Sequence, residues 1–206
     1  MAAVLMTMSK KDHGVKQMNL INTETSSRPF APAKSQNTAA PREIVFSIGE
    51  GALGQVLVAR TNEGVCAILL GSDGEALEND LAMRFADSRR VWNQAAVRKD
   101  LAKVARFIER PGKGLDLALD VRGTPFQHRV WEALRAIPVG TTVTYTQLAR
   151  SIDDPRAVRA VASACGANPI AIGIPCHRVV RSDGALGGYR WGVERKLALI
   201  NKEATS

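Results

Sequence analysis

Two adjacent residues, Cys176 and His177, carry the most pointed chemistry in the chain. They follow an apolar run, Ile170-Ala171-Ile172-Gly173-Ile174, and a proline, Pro175, and they lead into Arg178, Val179 and Val180. An apolar approach, a proline that restricts the backbone and a thiol beside an imidazole read as a nucleophile presented at a pocket edge. A free cysteine thiol has a pKa of about 8.5, so only a few per cent is thiolate at neutral pH. Nucleophilic use therefore calls for a base or a positive surrounding. Neighbouring side chains on an extended strand point to opposite faces, so His177 reaches Cys176 only through a turn after Pro175 or through a water. Arg178 and Arg181 add positive potential that favours the thiolate. A lone cysteine reads equally well as a small buried hydrophobe, and a lone histidine as a satisfied core residue. The composite Pro-Cys-His-Arg-Val is far more specific than either.

The elements that must position this pair are mainly helical. Thr124-Pro125-Phe126-Gln127 predicts a helix start, with Thr as N-cap, Pro at the first helical position and Gln three residues after the cap. Phe126, Val130 and Leu134 line one face, and Pro138 and Gly140 end the helix. Thr144-Tyr145-Thr146-Gln147 repeats the capping box, with Leu148 and Ile152 apolar. Asp153-Asp154-Pro155 is expected to close that short helix and cap the next, which runs to about Gly166. Two short helices across a tight polar turn read as helix-turn-helix. On the second, Ala157, Val158, Val161 and Cys165 can pack inward. Arg156, Arg159 and Ser163 share the other side among small residues, so the helix can approach a phosphate backbone or a groove closely. An amphipathic core helix with solvated arginines reads the same pattern. In the last helix Val193, Leu197 and Ile200 are expected to form the inward stripe, and Glu203 continues it. A carboxylate on an inward face needs a partner; capping or surface exposure is the other reading.

The first half is a small sheet with one or two helices. Ile44–Phe46, Gln55–Ala59 and Val65–Leu70 read as strands between Gly- and Asn-bearing turns. Leu77, Leu81 and Phe85, then Val97, Leu101, Val104 and Ile108, fall at helical spacing before Pro111-Gly112. Leu115–Asp120 alternates as a half-buried strand should. Residues 1–42, rich in Ser, Thr, Asn, Lys and Ala and lacking periodicity, are expected to be a disordered tail or linker. The expected organisation is thus a tail over 1–42, a first module over 43–120 and a second over 121–206.

Charge and cysteine usage narrow the class. Of 206 residues, 28 are Lys or Arg and 20 are Asp or Glu, a formal net charge of +8. Residues 121–206 hold 12 basic and 6 acidic residues, net +6, which suggests a polyanionic partner. The cysteines are Cys66, Cys165 and Cys176. An odd count without a secretory signal points to a reducing, cytoplasmic setting rather than a disulfide framework. No Cys/His cluster has zinc spacing, so neither a metal nor another cofactor is expected. No apolar run approaches the roughly 18 residues that would span a bilayer.

Asn168-Pro169 followed by Ile174-Pro175-Cys176-His177-Arg178-Val179-Val180 resembles the signature of O6-alkylguanine-DNA alkyltransferases. Arg156–Ala162 and Gly187-Gly188-Tyr189-Arg190-Trp191-Gly192 strengthen the resemblance, in particular to the C-terminal half of adaptive-response (Ada-type) proteins. It covers about 44–205. It implies an α+β fold, an RNase H-like first domain followed by a winged-helix-like helix-turn-helix domain. It implies Cys176 as alkyl acceptor, His177 as the base acting through a water, Glu203 as the carboxylate orienting that His, and Asn168 as the brace of the turn. Tyr145 would crowd the DNA phosphate and give a proton to the leaving base. Arg159 would fill the stack left by an extruded base, with Arg156, Ser163 and Arg178 also on the DNA. Gly187, Tyr189, Arg190 and Trp191 would line the base pocket, and Trp191 should narrow it against bulky groups. The implied partner is duplex DNA carrying O6-alkylguanine, or O4-alkylthymine, bound through the minor groove by a monomer. The implied reaction runs once per protein. No counterpart of the family's zinc-bearing phosphotriester module or regulatory helix-turn-helix is found, so no role in transcription is expected. Cys66 and Cys165 are expected to be structural. A plain DNA-binding regulator would leave Pro175-Cys176-His177 unexplained, and a Cys-His hydrolase would have no use for the basic helix. A non-catalytic alkyltransferase-like protein would lack the cysteine.

Overall fold

Strong β-formers on either side of a Gly-Ala-Leu-Gly turn fold back on each other: β1 (Glu43–Gly51) pairs antiparallel with β2 (Gly54–Arg60), and β2 with β3 (Val65–Gly71). The computed structural model describes residues 42–113 and 115–205, so the expected tail lies outside it except for Arg42. Asp73 caps α1 (Gly74–Arg84), its side chain accepting the Glu75 N–H, and Asn93 caps α2 (Gln94–Glu109) through the Ala96 N–H. Val97, Val104 and Ile108 are buried, as their spacing predicts. Between the two helices lies β4 (Arg89–Trp92), parallel to β1, which gives the sheet order β3-β2-β1-β4. Its sequence, Arg-Arg-Val-Trp, is largely exposed and has no strand-like alternation.

The expected strand over 115–120 is reduced to one bridge, between Val65 and Leu119. The rest of the β3 edge is taken by another stretch of chain. The Ile68 N–H donates to the Pro169 carbonyl at 3.0 Å, and the Ala171 N–H to the Ile68 carbonyl at 2.8 Å. The edge of the first-half sheet is thus bonded to the apolar run that precedes Cys176.

In the second half, both capping boxes form as predicted, at the starts of α3 (Pro125–Arg135) and α4 (Tyr145–Ser151). The α4 helix ends in a Schellman motif: Asp153 N–H bonds Arg150 O, Asp154 N–H bonds Ala149 O, and Asp153 sits at φ 58°. This left-handed turn delays the next helix, so α5 (Val158–Gly166) begins three residues beyond Pro155 and carries no side-chain cap. Arg156 therefore lies in the turn, not on the helix. The Trp131 indole donates to the Ala164 carbonyl at 2.9 Å and locks α3 on α5. Two dipeptide strands, β5 (Val143–Thr144) and β6 (Val179–Val180), pair in parallel and bring the start of α4 to the segment just after His177. The last helix is α6 (Val193–Ala204). The fold is mixed α+β, with one four-stranded sheet and six α-helices among the described residues. None of these helices is long and apolar enough to cross a membrane.

Candidate active site

Cys176 opens a single 3-10 turn, Cys176–Arg178, that the restricted backbone of Pro175 launches. Asn168, fully buried, braces it from both sides. Its amide nitrogen donates to the Ile174 carbonyl at 2.8 Å and to Cys176 Sγ at 3.3 Å, while its amide oxygen accepts the Ile170 N–H at 2.8 Å. Within the braced run Ile172 adopts φ 58°. A β-branched residue there is strained by about 1–3 kcal/mol and persists only where its surroundings hold it.

His177 reaches α6 with one ring nitrogen. Its Nε2 lies 2.8 Å from Glu203 Oε1, while Nδ1 is buried without a protein partner among the described residues. Glu203 is also gripped by Arg178, whose Nε donates to Oε2 and Nη2 to Oε1, both at 2.8 Å; Arg178 Nη1 donates to the Ile137 carbonyl at 2.6 Å. Burial pushes the Glu203 carboxyl up, but the hydrogen bonds and charges of His177 and Arg178 outweigh it and hold it at about 2. Burial lowers the His177 pKa and keeps the ring neutral, against the opposing pull of Glu203. With Glu203 ionised, the ring proton belongs on Nε2, which leaves the Nδ1 lone pair free to accept a proton.

Arg178 is buried and bonded on three sides, so it does not lie on a DNA-facing surface; it neutralises Glu203 instead. The inward stripe of α6 also differs from expectation. Val193 and Leu197 are exposed, and Lys196, Leu199 and Glu203 face inward. Lys196, fully buried, donates from Nζ to the carbonyls of Val179 at 2.6 Å and of Leu186. It ties the turn to the loop that follows, and its charge favours thiolate at Cys176. The spacing Lys196, Leu199, Glu203 on one helix face was the available signal, masked by the more apolar Val193 and Leu197. Burial raises the Cys176 thiol to about 11, although the Asn168 hydrogen bond and Lys196 pull it down. Cys66 is raised to about 12, chiefly by burial, and Cys165 is likewise raised; all three cysteines are free and buried.

Around the turn, Tyr145 begins α4 half-buried. Gly187 lies beside it, where a Cβ would be in ordinary contact with the Tyr145 ring and hydroxyl at 3.7 Å; its φ of 67° is what favours glycine. Tyr189 stands edge-on to His177 at 6.5 Å between ring centroids and edge-on to Trp191 at 5.2 Å. Trp191 is buried, whereas Arg190 is exposed and paired with Asp80 of α1 at 2.6 Å rather than turned into a pocket. Arg156, Arg159, Ala160, Ala162 and Ser163 are all exposed, an arginine-bearing face of small residues. Among the described residues, no group of three or more His, Cys, Asp or Glu side chains is arranged to hold a metal ion.

The chain is similar to known proteins. A family model described as "6-O-methylguanine DNA methyltransferase, DNA binding domain" matches residues 125–205. The bifunctional transcriptional activator/DNA repair enzyme Ada of Escherichia coli is 48% identical over 161 residues, 78% of this chain and 46% of that protein. The chain thus spans about half the length of the first relatives it matches. The inducible methylated-DNA–protein-cysteine methyltransferase of Bacillus subtilis is 36% identical over 149 residues, 71% of this chain and 82% of that protein. The Mycobacterium tuberculosis OGT solved in complex with DNA superposes with a TM-score of 0.66 at 31% identity, covering 79% of this chain and 93% of that one.

Proposed function

The chain belongs to the O6-methylguanine DNA methyltransferase family, and on that premise we propose that it repairs alkylated DNA by taking the alkyl group onto Cys176. The observation that carries the reading is the geometry of one turn. Asn168 fixes the Cys176 sulfur, and the next two residues of the turn, His177 and Arg178, both hydrogen-bond the buried Glu203 carboxylate.

The reaction follows from those groups. A thiol held near 11 is almost wholly protonated at neutral pH, so a base must remove its proton as the substrate arrives. His177 Nδ1 is the acceptor, reached through a water, and ionised Glu203 steadies the imidazolium that forms. The sulfur then attacks the alkyl carbon; the S–C bond forms as the bond from carbon to guanine O6 breaks. Guanine leaves with a proton supplied by Tyr145 or by water. The low-polarity setting disfavours the thiolate and suits the neutral thioether, so it drives transfer and leaves no nucleophile behind. One protein repairs one lesion.

The lesion must reach a buried sulfur, so the base leaves the stack. Extrusion costs about a few kcal/mol of stacking and pairing. Exposed Arg159 on α5 fills the gap, Tyr145 crowds the adjacent phosphate, and Arg156 and Ser163 contact the backbone. Small residues on that face suit entry into the minor groove of duplex DNA, with α4 and α5 as the helix-turn-helix of a winged-helix-like domain over 121–206. The domain over 43–120 is RNase H-like, and 1–42 is a tail or linker. O6-alkylguanine is the substrate, with O4-alkylthymine as a second candidate, and the protein acts as a monomer in the cytoplasm without a cofactor.

The test is to incubate the protein with a duplex carrying O6-methylguanine and weigh it intact. A single added methyl group mapped to Cys176 is expected, with none on Cys176→Ala. Unmodified protein, or repair of many lesions per protein, refutes the reading.

A further inference from the structure

The loop that ends in Trp191 is held from outside, by the first half of the chain. Arg190 Nη2 meets Asp80 Oδ1 on α1 at 2.6 Å, across 110 residues of sequence. Asp80 also accepts from Arg84 Nε through both oxygens at 3.2 Å, which fixes the carboxylate on its own helix. On the other side of Trp191, Arg195 Nε donates to the Leu53 carbonyl in the β1–β2 turn at 2.8 Å, and Arg195 Nη1 to the Trp191 carbonyl at 2.9 Å. Trp191 thus lies between two arginines, each pinned to a different part of the first-half sheet unit. Its ring is buried against Tyr189, and Tyr189 stands edge-on to His177.

We propose that Asp80, together with the Leu53 carbonyl, is a positioning element that holds Trp191 as the wall of the alkyl pocket, so that the first half of the chain sets which alkyl groups the second half accepts. The inference rests on the repair reading above. Asp80 touches no reacting group; it acts through Arg190. A wall held at two points has little freedom to swing out, so a small alkyl group fits and a bulky one meets the indole. Releasing one point should cost methyl transfer little and admit larger groups. The Asp80 side chain is 19% exposed and that of Arg190 40%, so the pair is partly screened and the effect is moderate.

Asp80→Asn in the full chain should raise the ratio of benzylguanine to O6-methylguanine-duplex reaction rates about twofold to fivefold, as expected for loss of one partly exposed ion pair. Asp80→Glu should keep the ratio near that of the unaltered protein, Arg190→Ala should raise it as Asp80→Asn does, and the double variant should add little more because both changes break the same pair. Amide hydrogen exchange over residues 186–192 should speed up in both single variants. An unchanged ratio overturns the proposal, as does unchanged exchange, or a double variant in which the two effects simply multiply. Unaltered protein that takes no alkyl group from either substrate refutes the repair reading; the exchange measurement needs no substrate and judges the clamp separately.

Discussion

Replacing Glu203 by Gln removes one negative charge from a site where three neighbours depend on it. Glu203 is 3% exposed, and it accepts two hydrogen bonds from Arg178, one from His177 and a longer one, at 3.4 Å, from the Gly140 N–H. The amide keeps the shape but leaves the buried Arg178 guanidinium without a counter-charge. Breaking a buried pair by removing one partner costs about 3–5 kcal/mol. A second route gives a similar size. The carboxyl moves from an ordinary 4.5 to about 2 on folding. At about 1.36 kcal/mol per unit, that is about 3 kcal/mol of stability at neutral pH. The folded pKa is the depressed one, so this contribution is present above 4.5 and is lost as pH falls from there through about 2. Urea unfolding at pH 7 should therefore show E203Q destabilised by about 3 kcal/mol, or about 6–12 °C in Tm for a chain of this size. The gap should narrow steadily between pH 5 and pH 2. Adding Arg178→Met should recover part of the loss, because an apolar side chain leaves no buried charge unpaired. A loss below about 1 kcal/mol at pH 7, or a gap that does not shrink in acid, refutes the buried-charge argument.

Two further outcomes test the outer parts of the site. Arg159→Ala should slow repair of a methylated duplex by about tenfold or more, since about a few kcal/mol of unstacking is no longer offset, while reaction with free benzylguanine stays the same. The salt dependence distinguishes the roles: a phosphate contact would reduce the slope of log affinity against log salt by about 0.9, whereas a stack filler leaves the slope unchanged. Trp191→Gly should raise the rate with benzylguanine by about tenfold, at the cost of a cavity beside Tyr189 and about 3–5 kcal/mol of stability; no gain in rate sinks the idea that the indole limits the pocket.

What could be read from the sequence was local. Both capping boxes are spelled within four residues, and Thr124 with Gln127 and Thr144 with Gln147 bond as that spelling predicts. The strands β1 to β3 announced themselves through apolar runs between turn residues. Where a tertiary contact decided the outcome, local pattern failed. Leu115–Asp120 alternates like a strand, but the β3 edge it would join is occupied by Pro169–Ala171. The α6 stripe was assigned by hydrophobicity to Val193 and Leu197, whereas the fold turns Lys196 inward because three carbonyls at the turn and the following loop satisfy its ammonium. Arg178 looked like a cation for DNA, and only the position of Glu203, 25 residues away, reveals its partner.

The misses at Lys196 and Arg178 arise within the second half, whereas the one at the β3 edge runs between the two halves, as do two side-chain contacts that no local pattern announces: Ile68 bonds Pro169 and Ala171, Arg195 bonds Leu53, and Arg190 bonds Asp80. The first lands just ahead of the reactive turn, that of Asp80 on the loop behind it, and that of Leu53 on the first turn of α6. The run that leads into the 3-10 turn holds Ile172 in a left-handed conformation, which does not persist without support from its surroundings. Asn168 holds it from within, and the β3 edge holds Asn168's own strand of chain from outside. The sheet supplies no group to the chemistry, yet the position of Cys176 is set by its edge, and the helical half alone would lack the hydrogen bonds that keep the strained approach in register.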